Sequence, residues 1–421
     1  MVFRDQLDNG LRIIGEQMPS FRSVSMGVWI GAGSSYEREN EAGISHFIEH
    51  MLFKGTQRRT AAQIAAEMDG IGGNLNAFTA KECTCLYAKV LDEHLEIAAD
   101  ILSDLLRHSK FDPADIEKEK GVVCEEILMV EDTPEDLVHE ALSSIVHADS
   151  PYSKPILGSE KSVRSLTREA IGDYMDRHYQ PNNIVVSCAG NFEREKLLDV
   201  VKKNFSGGSP SFKENAPKCD ITKKRAFKAL EKDVEQVHIC LGFPGYKNDD
   251  DRQYSLFVLN NALGGSMSSR LFQNIREERG LAYSIYSYPS AYADAGYFAL
   301  YAGTGEKQAE EVVKLMLEEL DKIVKDGITE EEFRRSKEQL KGSYMLGQES
   351  TSARSNAIGK AELLRGKVYT EQEIMERIES VTMESVRAII PYIFDHERIS
   401  GAFVGRMGEK EKDIEKRIME W

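Results

Sequence analysis

Val24-Ser25-Met26-Gly27-Val28-Trp29-Ile30 reads as a strand that ends in Gly31-Ala32-Gly33, and a run of the same kind, Val237-His238-Ile239-Cys240-Leu241-Gly242-Phe243, returns 213 residues later. The surroundings return with it. Cys85-Leu86-Tyr87-Ala88-Lys89-Val90 is answered by Phe298-Ala299-Leu300-Tyr301-Ala302-Gly303-Thr304 at an offset of 214. The long helix opened by Asp112-Pro113, with Asp at the cap and Pro at the first helical position, is answered by one capped at Thr329, at an offset of 217. Leu166-Thr167 is answered by Val381-Thr382. Such self-similarity predicts two α/β halves of about 200 residues each. Between them, Ser206-Gly207-Gly208-Ser209-Pro210-Ser211 and the polar residues to Pro217 have linker composition. The expected organisation is an N-terminal domain over 1–210, a linker over 211–219 and a homologous C-terminal domain over 220–421.

Between the first strand and the glycine turn Gly70-Ile71-Gly72-Gly73 lies Gly43-Ile44-Ser45-His46-Phe47-Ile48-Glu49-His50-Met51-Leu52-Phe53-Lys54-Gly55-Thr56. A helix is expected over Glu41–Phe53. On it His46 and His50 stand one above the other, with Glu49 bordering the same face. H-x-x-E-H is the inverted zincin order. With nine histidines in 421 residues, about 0.03 such matches are expected by chance. Ile44, Phe47, Ile48, Met51, Leu52 and Phe53 make the helix largely apolar, and an acid buried there beside two imidazoles is costly unless something pairs with it. A metal ion meets that requirement.

The second half keeps the pattern and loses the chemistry. With the strand offset, His46, Glu49 and His50 fall on Leu259, Ala262 and Leu263. A site in the first half alone is therefore expected.

A catalytic zinc takes three protein ligands and leaves a position open, so a carboxylate is sought as the third. The helix from Asp112 offers several acids. Glu119 and Glu126 are seven apart, on one face with Val122 and Val123 beside them, while Glu125 points about 100° away. Spacing favours that pair without choosing between its members.

Composition narrows the rest. A net charge of −16 argues against a phosphate backbone as partner. No apolar run approaches a membrane span, and the N-terminus has no signal- or transit-peptide character; a cytoplasmic location is expected. The six cysteines are scattered without C-x-x-C and are expected as free, buried thiols. Cys83-Thr84-Cys85 places two of them on one strand face.

On Gly43–Thr56, Gly73-Asn74-Leu75-Asn76-Ala77-Phe78-Thr79, Glu117–Asp136 and Gly280-Leu281-Ala282-Tyr283-Ser284, the chain resembles the pitrilysin, or insulinase, family of zinc peptidases. It is most similar to the short bacterial members of the mitochondrial-processing-peptidase-like branch, over nearly the whole chain. The resemblance implies an α+β fold (an α/β sandwich) of two homologous halves, each a mostly antiparallel sheet covered by helices, that make half of a clamshell. It implies a zinc-dependent endopeptidase acting on peptides or short unfolded segments, with one Zn2+ held by His46, His50 and Glu126, the last 76 residues after His50. Glu49 is then the general base, and Glu119 supports a ligand histidine. Arg276 and Tyr283, seven apart, match the family's substrate-carbonyl and oxyanion contacts from the second half. Gly73, Asn74, Asn76, Ala77 and Phe78 belong to an edge strand expected to pair with substrate. A homodimer, or a pair with an inactive paralogue, is expected to enclose the chamber. The competing reading is a non-catalytic partner or scaffold subunit of a processing-peptidase-like complex, whose motifs are ordinarily eroded.

Overall fold

The structure, a computed structural model, describes residues 2–213, 217–219, 224–406, 408 and 410–421. The expected linker and the start of the second domain fall partly on residues 214–216 and 220–223, which lie outside the described residues.

Two sheets organise the chain. The first contains β1 (Val2–Gln6), β2 (Arg12–Gln17), β3 (Ser23–Ile30), β4 (Asn74–Thr79), β5 (Thr84–Leu91) and β6 (Ile184–Gly190), in the order β1-β2-β6-β3-β5-β4. The second contains β7 (Ala226–Leu230), β8 (Gln236–Pro244), β9 (Ala282–Ala291), β10 (Gly296–Gly305) and β11 (Ser400–Val404), in the order β7-β11-β8-β10-β9. In each, one neighbouring pair is parallel, β2 with β6 and β7 with β11, and the other pairings are antiparallel. From β2 onward the order is the same in both sheets, so the repeat read in the sequence is a repeat of topology.

The helices of the first part are α1 (Ile44–Leu52), α2 (Ala61–Gly70), α3 (Leu95–His108), α4 (Pro113–Glu131), α5 (Pro134–Val146), α6 (Glu160–Ser165), α7 (Arg168–His178) and α8 (Arg194–Phe205). Those of the second are α9 (Gln253–Leu263), α10 (Ala309–Asp326), α11 (Glu330–Gly347), α12 (Thr351–Arg365), α13 (Glu371–Ser380), α14 (Met383–Ile393) and α15 (Lys410–Glu420).

Strand alternation assigns the faces. Val24, Met26, Val28 and Ile30 of β3 enter one core with Phe47 and Met51 of α1, Leu102 of α3, Ile171 of α7 and Val201 of α8. Trp29, between them, faces the other side and packs with Ile14, Cys85, Val185 and Ile358. The second sheet repeats this. Val237, Ile239, Leu241 and Phe243 join Leu256, Leu259, Leu320 and Ile390, whereas Cys240 turns to Val138, Leu142, Ala299 and Ala402.

Ile358 belongs to α12 and Val138 and Leu142 to α5, so each sheet is backed by a helix from the other half of the sequence. α12 lies on β2, β3 and β6; α5 lies on β7, β8 and β11. The chain accordingly divides into one compact unit of Met1–Ile127, Lys154–Pro217 and Met345–Thr370 and another of Leu128–Ser153, Lys218–Tyr344 and Glu371–Trp421. A contiguous cut at the linker does not reproduce these units. The α12 contact is threaded with polar pairs. Ser25 Oγ stands 3.0 Å from Thr351 Oγ1, Arg354 Nε donates to Glu16 Oε2 at 2.6 Å, and Arg4 Nε donates to Glu362 Oε2 at 2.7 Å. The α5 contact is apolar and aromatic, with His139 between the hydroxyls of Tyr288 and Tyr286 at 2.7 and 3.0 Å.

All six cysteines are free and buried. Burial pushes the Cys83 thiol up to about 12 and raises Cys85 well above the usual range; both pack in the core under α12 rather than forming a site. Among the described residues no helix is long and apolar enough to cross a membrane.

Candidate metal centre

Helix α1 is shorter than the expected Glu41–Phe53 because it starts on a special turn. Gly43 caps it at φ +89°, and a side chain there would meet the Leu157 carbonyl at 2.5 Å. Glu37 reaches across to accept from the Gly43 and Ser45 N–H groups at 2.8 and 2.9 Å. These are orphan donors at the helix start, and the carboxylate also favours the positive end of the helix dipole. Burial nevertheless pushes the Glu37 carboxyl up to about 7. Ser45 Oγ, 2.8 Å from Tyr174 OH, fastens the same turn to α7.

So held, α1 presents His46 and His50 on one face, with ring centroids 4.6 Å apart. From α4, Glu126 Oε2 comes to 3.6 Å from His46 Nε2 and 3.3 Å from His50 Nε2. One ligand atom from each of the three residues lies within 4.8 Å of the others. A tetrahedral zinc with bonds of about 2.0–2.1 Å has ligand–ligand edges of about 3.3–3.4 Å. The residues fit the ion. His46 fits it electrostatically too. Burial, then the neighbouring His50, lowers its pKa to about 4, so the imidazole is the neutral form that a ligand must be. Its Nδ1 is buried without a hydrogen-bond partner among the described residues.

The other acids divide as the helical spacing requires. Glu119 is buried at 2% exposure and its Oε1 accepts from His50 Nδ1 at 2.9 Å. That bond fixes the proton on Nδ1 and leaves Nε2 free toward Glu126. Glu125 is exposed. Val122, expected beside the inward pair, is instead 46% exposed; Val123 is the buried neighbour. Glu49 is turned toward β4, where Thr79 Oγ1 donates to its Oε2 at 2.5 Å. Burial raises the Glu49 carboxyl above the ordinary range, partly offset by the Thr79 hydroxyl and His50.

Two further side chains join the site without any local signal in the sequence. Thr79 contacts Glu49, and Lys54 Nζ lies 2.7 Å from Glu119 Oε2. Their partners are far away in the chain, so no local spacing could have announced them.

Gly73, Asn74, Asn76, Ala77 and Phe78 run into and along β4. It ends the sheet order and pairs with β5 alone among the described residues. Arg276 and Tyr283 belong to the second unit. Arg276 lies in a π-helical turn, Phe272–Glu277, and Tyr283 is the second residue of β9, 76% exposed. The guanidinium lies 4.7 Å from the Phe272 ring centroid and 5.6 Å from that of Tyr283. The two residues are neighbours, and the rings steady the cation.

A sequence model described as Insulinase (Peptidase family M16) matches residues 12–160, and one described as Peptidase M16 inactive domain matches residues 165–340. The chain is 45% identical over 397 residues to a Bacillus subtilis protein described as "Uncharacterized zinc protease YmxG", covering 94% of this chain and 97% of that one. It is 41% identical to "Uncharacterized zinc protease SCO5738" of Streptomyces coelicolor, covering 97% and 91%. In fold it is similar to a protease from Helicobacter pylori (TM-score 0.89, 20% identity, covering 96% and 99% of the two chains) and to an M16 inactive-domain structure from Pseudomonas fluorescens (TM-score 0.88, 20% identity, covering 96% and 98%). The inactive-domain match spans most of the half in which leucines and alanine replace the histidines and acid. With its topology, its inverted zincin helix and these relatives together, the chain belongs to the insulinase (M16) family of peptidases.

Proposed function

We propose that the protein is a zinc-dependent endopeptidase that cleaves peptides or short unfolded segments. The observation that carries this reading is the convergence of His46 Nε2, His50 Nε2 and Glu126 Oε2, with Glu49 alongside. When bound, zinc supplies a Lewis acid that polarises the scissile carbonyl and acidifies water. Glu49 takes the proton of the attacking water as the C–O bond forms and returns it to the nitrogen as the C–N bond breaks. Thr79 holds one Glu49 oxygen and leaves the other for that transfer. Glu119 keeps the His50 ring in register through Nδ1. Arg276 binds a substrate carbonyl and Tyr283 donates to the developing oxyanion. β4 offers a free strand edge to an extended peptide, which suits many sequences but only unfolded ones. A second copy of the chain completes the working enzyme. The scaffold-subunit alternative is disfavoured because His46, Glu49, His50, Glu119 and Glu126 are all in place.

Chelation is expected to abolish cleavage of an unstructured peptide and added zinc to restore it. Glu49→Gln keeps its zinc while cleavage falls about 10²–10⁴-fold. Undiminished cleavage by metal-free protein, or by the zinc-loaded Glu49→Gln variant, overturns the reading.

A further inference from the structure

We infer that Lys54 is a positioning residue of the metal centre, acting through Glu119. The inference rests on the proposal that His46, His50 and Glu126 hold zinc, and concerns what keeps those three together.

Glu119 is almost wholly buried, and both of its oxygens are used. Oε1 accepts from His50 Nδ1 at 2.9 Å, and Oε2 faces Lys54 Nζ at 2.7 Å. The two donors are four residues apart. His50 is in the last turn of α1, and Lys54 follows the Phe53 cap, with its own N–H donating to Met51 O at 3.1 Å. One carboxylate of α4 therefore grips the end of α1 at two points. Glu126 is two turns further along the same α4 and must meet both Nε2 atoms. The grip at Glu119 fixes how α4 is rotated and advanced against α1, and so where Glu126 arrives.

Three features make Lys54 the sensitive member of this grip. His46 has no orienting partner on Nδ1 among the described residues, so the orientation of the pair rests on the Glu119–His50 bond. Without Lys54, Oε2 of a buried carboxylate is left unpaired, the arrangement that costs most, and the Glu119 side chain is free to turn away from His50. The third feature is charge. Zinc with Glu49, Glu119 and Glu126 carries one surplus negative charge, which the Lys54 ammonium balances. Its place just past the negative end of α1 is also favourable for a cation.

The test is zinc affinity of the purified full-length chain, measured by competition with a chromophoric chelator, for the parent, Lys54→Met and Lys54→Arg. Lys54→Met keeps the alkyl stem and loses the charge; its zinc dissociation constant is expected to rise about tenfold or more, as when other outer partners of metal ligands are removed. Lys54→Arg, which can still reach a carboxylate oxygen, is expected to recover most of that loss. Thermal unfolding of each variant in excess chelator separates the roles, since a merely structural lysine moves the metal-free melting temperature and leaves zinc affinity alone. Cobalt-substituted protein adds a spectroscopic reading, with the visible bands of Lys54→Met shifted from those of the parent. A dissociation constant within twofold of the parent for Lys54→Met, or an equal loss in Lys54→Arg, overturns the inference. A parent chain that binds no zinc overturns the metal-centre proposal instead, so the two failures are distinct.

Discussion

Helices α1 and α9 occupy the same place in two sheets of the same order, and they have opposite interiors. Where α1 carries His46, Glu49 and His50, α9 carries Leu259, Ala262 and Leu263, each at most 1% exposed. Where α4 brings Glu119 and Glu126, α11 brings Ser336 and Ser343. The framework therefore does not need the polar cluster. The second unit closes over leucines at no electrostatic cost, whereas the first maintains the buried Glu119, a depressed histidine and two further carboxylates, Glu49 and Glu126, that pack poorly without a cation. What the scaffold tolerates in both units, only one uses.

The comparison breaks most readily at the leucines. Leu259→Ala is expected to lower stability by about 2–5 kcal/mol, the usual cost of a buried leucine, in denaturant unfolding monitored by circular dichroism. A loss under about 1 kcal/mol shows that α9 is not a packed counterpart of α1.

The caps of the two helices sharpen it. Glu37 bonds backbone N–H groups at the start of α1, and burial holds its carboxyl up near pH 7. With the strand offset its counterpart is Asp250, paired with Arg252 at 2.6 Å and held below the usual range. For Glu37, the folded chain keeps a proton that the unfolded chain releases near pH 4.5. Its stabilising contribution is therefore complete below that pH and is lost as pH rises toward 7, by on the order of 3 kcal/mol. Asp250 acts in the opposite sense, contributing above the usual aspartate range and failing as pH falls. Unfolding of chelator-treated protein at pH 5 and pH 8 measures the Glu37 effect; Glu37→Gln should flatten the difference. An equally steep difference in that variant removes Glu37 as its source.

The smallest effect tests whether the half without ligands still serves the reaction. Tyr283→Phe should lower kcat about a hundredfold, or about 2.7 kcal/mol, the scale of one oxyanion donor, with zinc content unchanged. A kcat within threefold of the parent confines the chemistry to the first unit.

Much of this site is legible in the sequence because its spacing is local. His46 and His50 are one turn apart on α1, and Glu119 and Glu126 two turns apart on α4, so helical periodicity places each pair on a face. Choosing Glu126 as ligand and naming Arg276 and Tyr283 needed the family resemblance. Lys54 and Thr79 escaped because their partners are on other elements. β9 went unread as a strand, since Pro289 interrupts its alternation, and proline is tolerated only at a sheet edge such as this one. The exchange of α5 and α12 escaped for a more general reason. An apolar stripe on a helix says that a face is buried, and not which sheet buries it.

That exchange bears on how the protein can be made or taken apart. A nick in the polar stretch after Phe205 separates the two halves of the sequence but neither of the two units. The leading fragment carries α5 without the sheet it backs, and leaves Trp29 and Val185 bare for want of α12. During synthesis the first unit stays open on that side until Arg365 has left the ribosome, although His46, His50 and Glu126 were made more than 200 residues earlier. Expression of residues 1–210 alone gives all six strands of the first sheet without the helix that backs them, and fragment complementation, rather than domain excision, is the way to dissect this chain.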